Sequence, residues 1–241
     1  PSLERFPIAA VAKAGRELPG RTLGVPLVID NSTLPLIVRP LEEGAAVVVY
    51  SAAAYLSGHS ASIGGILIDG GNFSWDSTRF PALHAPDPSY HGVVWTEVVR
   101  KWNASPLIAR ARGGILRDLG AAISPMAVFQ ILQGLETLPL RMRAHAGNAA
   151  RVAELLASKP EVTGLTVEGG LVAFDIPDPQ NFVAALSLFK RGAELGDLRS
   201  SVVGPTQIDD RIVLSVGVEH ADDILADLAA ALNLHLQREA P

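Results

Sequence analysis

The 241-residue sequence predicts an α/β fold that runs on into a smaller α+β unit. Two observations lead there. Through the first half, apolar runs of strand length alternate with helix and turn signals, the pattern of a mostly parallel sheet with covering helices. In the second half, short strands and helices follow one long helical stretch. With 48% hydrophobic and 19% charged residues, a chain of this length can bury a sizeable core.

Residues 6–18 place Ile8, Val11 and Leu18 between charges, which predicts a short amphipathic helix. "GVPLVIDN" is a near-continuous apolar run bounded by Gly24 and Asn31, and reads as a parallel strand buried on both faces. "RPLEEG" fits a helical turn closed by Gly44, "AAVVVYS" is a second buried strand, and "GGILIDGG" is a third between glycine pairs. From Asn72 to about Ser105 no period emerges, and Pro81, Pro86 and Pro88 are breakers, so a long ordered loop is expected. Residues 106–119 read as helix with a weak point at Gly113 and Gly114. A longer helix is expected from Pro125 to about Ser158, interrupted by Pro139, which should kink it. A domain boundary near that kink divides the chain into a large domain over 1–138 and a small one over 139–241. The small unit then reads as strands "VTGLTVEG" and "GLVAFDI", a helix "NFVAALSLF", a strand "RIVLSVG" and a last amphipathic helix from Ala221.

Composition closes off several functions. The net charge is −5 and the 20 Lys and Arg are scattered, so there is no basic stripe for nucleic acid. Cysteine is absent, which removes disulfides, thiolate metal sites and a cysteine nucleophile, and points to the cytoplasm; no metal site is expected. Charges interrupt the apolar pattern of the first residues, and no run reaches the roughly 18 apolar residues of a spanning helix, so neither a signal peptide nor a membrane partner is expected.

One stretch carries chemistry. After the second strand the chain reads "SAAAYLSGHSASIGG", Ser51 to Gly65, a turn leaving a buried strand where polar side chains would be useful and three alanines stand instead. Together with "IDN" at Asp30, "DGGNFSW", "FPALHAPDPSYHGVVWTE", "LRDLGAAISPMAVFQILQGLETLPLRM", "LGDLRSSVV" and "LSVGVEH", it resembles the Cys/Met-metabolism family of pyridoxal-phosphate enzymes, in its O-acetylhomoserine sulfhydrylase branch. The resemblance implies an aspartate-aminotransferase-type (fold type I) large domain, present in part, with a smaller C-terminal α+β domain. It also implies pyridoxal phosphate as cofactor and replacement of an acetyl group by sulfur as the ancestral reaction.

In that family the turn reads S-x-[ST]-K-Y. The resemblance assigns Ser51 and the residue two further on to the cofactor phosphate, and the lysine to the Schiff base. Here Ala53 stands at the hydroxyl position and Ala54 at the lysine position. A Schiff-base lysine is both covalent anchor and general base, and a methyl group can be neither. The chain's lysines, Lys13, Lys101, Lys159 and Lys190, are all remote from the turn in sequence.

Asp30 matches the aspartate that pairs with the pyridine nitrogen; read without the resemblance, it is a strand-end cap. Ser51 and Ser32 can donate to a phosphate or cap strand ends. His59 reads as a buried structural histidine. The substrate-carboxylate arginine falls at Val213; Arg211, two residues earlier, is displaced by about 6.6 Å along a strand. Ser200 and Arg199 match the substrate-side motif, but the histidine that follows there is Gly204. No counterpart of the family's N-terminal half precedes Pro1. One residue between Asp30 and Arg39, a stretch after "PEVTGLTVEGG" and another between "VVGPTQ" and "DDRIVLSVG" also read as removed.

The expectation is therefore a non-catalytic subunit that pairs with a full-length, catalytically competent homologue. Pyridoxal phosphate is possible but not covalently bound by this chain. Asp30 and Ser51 are vestigial or shared cofactor contacts, Ser200 and Arg211 weak substrate contacts, and no residue is catalytic. The rival is a component of an active sulfhydrylase or γ-replacement transferase, its lysine supplied by the partner or replaced to trap an aldimine. A third possibility is a fragment of a longer polypeptide.

Overall fold

The apolar runs become two main sheets in the computed structural model, which describes residues 6–18, 21–22, 24–75, 79–192, 195–204 and 211–239. Helix α1 (Ile8–Arg16) buries Ile8 and Ala12 and leads into a small hairpin, β1 (Glu17–Leu18) with β2 (Arg21–Thr22). Strand β3 (Val28–Asp30) runs parallel to β4 (Val47–Ser51), with Asp30 beside Val49. Strand β5 (Gly65–Asp69) lies antiparallel on the other side of β4, so the sheet order is β3-β4-β5.

Burial on both faces holds for β4 only at its start: Val47 and Val48 are 1% exposed, whereas Val28 on β3 is 52% exposed and Leu67 on β5 40%. The reason is position. Only β4 has a strand on each side among the described residues, and the faces of β3 and β5 are incompletely covered. Between β3 and β4 the "RPLEEG" turn closes at Gly44, whose φ of +99° is one that glycine tolerates.

The expected loop over 72–105 contains short helices instead: α2 (Pro81–His84), a single 3-10 turn (Pro88–Tyr90) and α3 (Trp95–Arg100). Pro81 and Pro88 open these elements, because a first-turn residue needs no backbone N–H. Asp87 ties the segment together, accepting from the Ser89 amide at 2.9 Å, the Ser89 hydroxyl at 2.7 Å and Trp95 Nε1 at 2.9 Å. These donors hold its carboxyl below the usual carboxylate range. Helix α4 (Pro106–Arg110) then widens into a π-helical turn over Ala111–Leu116 before α5 (Arg117–Leu119), and the weak point foreseen at Gly113 and Gly114 lies in that turn. A Cβ at Gly113 would sit 2.6 Å from the Trp95 ring.

Helix α6 (Pro125–Ala157) is 33 residues long, starts on a Ser124 cap and continues through Pro139. Its first half packs Ile131, Leu138 and Met142 against Ala52, Tyr55 and Leu56. Its second half packs Ala149, Val152 and Leu156 into a different core. That core is closed by a five-stranded sheet of order β6-β7-β10-β9-β8, formed by β6 (Thr163–Glu168), β7 (Leu171–Asp175), β8 (Lys190–Arg191), β9 (Ser201–Val203) and β10 (Ile212–Ser215). Helices α7 (Pro179–Ala185) and α8 (Ala221–Glu239) complete it, with Phe174, Phe182, Leu214, Leu228 and Leu232 fully buried. The removal expected between "VVGPTQ" and "DDRIVLSVG" falls on 205–210, outside the described residues. No described helix is long and apolar enough to cross a membrane.

Candidate functional site

The parallel pairing of β3 and β4 brings their carboxyl ends together, the place where sheets of this kind present ligand-binding groups. Asp30 Oδ1 accepts from the Ser32 amide at 2.9 Å and the Ser32 hydroxyl at 2.5 Å, and the Ser51 amide donates to Ser32 Oγ at 2.7 Å. Three residues singled out from the sequence thus form one small network. Asp30 and Ser51 are exposed, and Ala53 and Ala54 half-buried. Clefts of about 480, 370 and 1080 Å³ open elsewhere on the molecule, and none is lined by Asp30, Ser51, Ala53 or Ala54.

The turn that follows β4 is held from its inner side. The Ser57 amide donates to Ala52 O at 3.2 Å and the Gly58 amide to Ala54 O at 2.7 Å, which winds residues 52–58 tightly. Arg141, buried on α6, donates through Nη1 to Tyr55 O at 2.6 Å and through Nη2 to Leu56 O at 3.2 Å and Gly134 O at 2.6 Å, while its Nε reaches Thr137 Oγ1 at 3.0 Å. Desolvation pulls the guanidinium below its ordinary range. A Cβ at Gly134 would lie 2.4 Å from Leu56 O, so only glycine lets α6 approach the turn this closely.

Tyr55 is 1% exposed and meets His145 edge-on, ring centroids 5.1 Å apart. A Cβ at Gly196 would come within 2.3 Å of the Tyr55 ring, so the glycine of "LGD" is dictated by this tyrosine. Burial pushes the Tyr55 phenol up to about 12. It pushes His145 down, and the neutral ring donates from Nδ1 to Val216 O at 2.7 Å. Arg141 and His145 were not singled out from the sequence. Their signal was helical spacing, since they share a face of α6 with Leu138, Met142 and Ala149, where the run of buried apolar residues conceals two polar ones.

The residues expected on the substrate side are engaged elsewhere. Ser200 is fully buried, its amide and hydroxyl both donating to Glu219 at 2.7 and 3.0 Å. Arg211 donates from Nη2 to Gly164 O at 2.6 Å and Thr166 Oγ1 at 3.0 Å, both on β6. Val213 sits between Ala173 and Val203 in the sheet. At Gly204 φ is +92° and a Cβ would lie 2.4 Å from Arg211 O, so this backbone has no room for the histidine of the motif. Arg199 is exposed. His59 is exposed as well, a correction to its reading as a buried structural residue: the turn at Gly58, φ +88°, directs the chain out into a cleft.

Against known proteins, a family model described as Cys/Met metabolism PLP-dependent enzyme matches residues 1–233. The chain belongs to that family. It is 41% identical over 280 residues to O-acetyl-L-homoserine sulfhydrylase of Leptospira meyeri, covering 96% of this chain and 62% of the relative. To homocysteine synthase of Schizosaccharomyces pombe it is 36% identical, covering 97% and 62%. Among solved structures it superposes on an O-acetylhomoserine (thiol)-lyase of Campylobacter jejuni, which carries a pyridoxyl-lysine monophosphate, with TM-score 0.86 and 28% identity over 96% of this chain and 62% of the other. A cystathionine gamma-lyase of Lactobacillus plantarum follows at TM-score 0.73 and 27% identity, covering 97% and 61%. The fold of this family member is thus a partial fold type I PLP-enzyme fold, and it spans about 62% of the length of these relatives. The Leptospira match extends over 280 residues against 241 in this chain, so the relative carries residues inside the matched stretch that this chain lacks.

The family is PLP-dependent, but the residues present do not fit a covalently held cofactor. The β4 turn offers no amine, and Ala53 offers no hydroxyl. Lys13 lies on α1, Lys190 on β8, and Lys101 and Lys159 just beyond α3 and α6, none of them on this turn. The strand ends present the carboxylate of Asp30 and the hydroxyls of Ser32 and Ser51.

Proposed function

We propose that this chain is a non-catalytic subunit descended from the O-acetylhomoserine sulfhydrylase-type enzymes, and that it pairs with a longer, catalytically competent homologue. The observation that carries this reading is Ala54, set by the resemblance at the Schiff-base lysine position, in a turn that Arg141 ties to α6 through Tyr55 O and Leu56 O. Two further features support it. Val213, packed inside the sheet, leaves no cation at the substrate-carboxylate position. Exposed apolar side chains, Ile63 at 90%, Leu119 at 76% and Met126 at 66%, line the cleft of about 1080 Å³ and offer apolar surface to a partner.

A homologue is the partner of choice, because the exposed apolar faces lie on a fold shared with relatives of which this chain spans about 62%. Activity in such a complex would be PLP-dependent sulfur transfer performed by the partner. The rival reading, in which the partner's lysine completes a site on this chain, draws on the retained Asp30, Ser32 and Ser51 network.

Co-expression separates the outcomes. The chain made with and without a longer homologue from the same genome is compared by soluble yield and light-scattering mass. A stable mixed complex with turnover that survives Asp30→Ala in this chain supports the non-catalytic subunit. Loss of turnover with Asp30→Ala supports the shared site. A well-behaved, cooperatively folding species of 25.4 kDa from this chain alone removes the need for a partner.

A further inference from the structure

Between the turn after β4 and the first half of α6 lies a cleft of about 370 Å³, within the size range of small-molecule sites. Arg141 lines it, 9% exposed, and no carboxylate of the described residues pairs with it. Buried cations are ordinarily matched by an anion, since removing a charge from water is expensive. Here three backbone carbonyls and Thr137 Oγ1 solvate the guanidinium without neutralising it, and one Nη1 hydrogen remains uncommitted.

The rest of the wall has the same bias. No acidic side chain lines the cleft. Glu219 and Asp197, which face His145 on the neighbouring turn of α6, accept from Ser200 and from the Arg199 amide respectively. Ser62 Oγ donates to Gln130 Oε1, which leaves the Gln130 amide hydrogens for another acceptor. Gln133 and His59 stand exposed at the rim, and Phe129 and Leu198 add apolar wall.

We infer that this cleft is a binding site for a small organic anion, a single carboxylate on an apolar body. The carboxylate faces Arg141 and the Gln130 and Gln133 amides, and the body lies against Phe129 and Leu198. Anion binding would also complete the charge balance beneath the β4 turn, linking occupancy to the stability of that turn.

The test titrates benzoate, with neutral benzamide as its isostere, into the full chain and follows amide shifts by NMR; where the chain is isolated as a complex, only this chain is isotopically labelled. Expected are saturable benzoate shifts at Gly58, His59, Gly134 and Leu198, benzamide at least about tenfold weaker, and a loss of about tenfold or more for Gln133→Glu. Gln133 is exposed, so that variant folds, with a melting temperature no lower than wild type. Benzamide binding as tightly as benzoate, benzoate affinity unchanged in Gln133→Glu, or no saturable shift up to about 20 mM benzoate would each overturn the site.

Discussion

The two sides of the turn after β4 differ in how closely they are held. On the inner side, Arg141, Tyr55, His145, Gly134 and Gly196 fit one another to within the tolerance of a single Cβ. On the outer side, the same six or so residues of backbone present Ala53 and Ala54 where the family's chemistry needs a hydroxyl and an amine. The difference teaches that adjacent residues of one turn can meet different demands: Tyr55 is locked into the core, while its neighbour Ala54 is half-buried and presents only a methyl group.

Breaking the inner side should therefore cost far more stability than altering the outer side. The largest effect is expected for Tyr55→Ala, which empties a fully buried aromatic site between His145, Gly170 and Gly196 and should destabilise by roughly 3–5 kcal/mol in urea unfolding. A loss below about 1 kcal/mol would mean that the turn is not part of the cooperative core.

The next effect is pH-dependent. Burial depresses His145 in the fold below its ordinary 6.5, so the unfolded chain takes up the proton first. Stability is accordingly full above that value and falls as the pH drops through it toward the folded value, with a slope of up to about 1.4 kcal/mol per pH unit for one proton. His145→Gln should flatten this acid limb, and an unchanged limb would locate the titrating group elsewhere.

Much of this contrast was legible in the sequence, and the parts that were not have physical reasons. Strands β3, β4 and β5 are apolar runs between glycines, so their existence was readable, but an apolar run carries no direction and no neighbour count; hence the antiparallel β5 and the exposed Val28 emerged only from the fold. The helices within 72–105 are three to six residues long, too short to show a 3.6 period, and Pro81 and Pro88 served as first-turn residues, whereas Pro86 follows the end of α2 as a breaker does. Pro139 was expected to interrupt α6, yet the flanking buried contacts of Leu138 and Met142 hold the helix through it. Ala54, Ala53 and Val213 stood out in the sequence because they depart from the motif that the resemblance supplies. Arg141 was not, because the contacts that tie it to the turn, Tyr55 O and Leu56 O, are backbone carbonyls 86 and 85 residues away, which no local pattern encodes.

The smallest stability effect belongs to the outer side. Ala54→Lys places a long side chain at a half-buried position next to exposed Ser51, and the expected change is within about 0.5 kcal/mol. Turnover of O-acetylhomoserine with sulfide should remain absent in this single variant, because Val213 and Ala53 are unchanged and Arg211 is held on β6. Measurable turnover without a partner would show that the other losses matter less than the missing amine.

The most direct measurement is covalent. The chain is incubated with pyridoxal phosphate, its visible spectrum recorded, and the mixture reduced with borohydride and mapped by mass spectrometry. The Ser51–Tyr55 stretch, with no lysine, should carry no pyridoxyl label, and Lys13, Lys101, Lys159 and Lys190 only sparse label at low occupancy. Near-stoichiometric label on any one of those four lysines, with a matching visible band before reduction, would contradict the assignment of this chain as a non-catalytic member of its family.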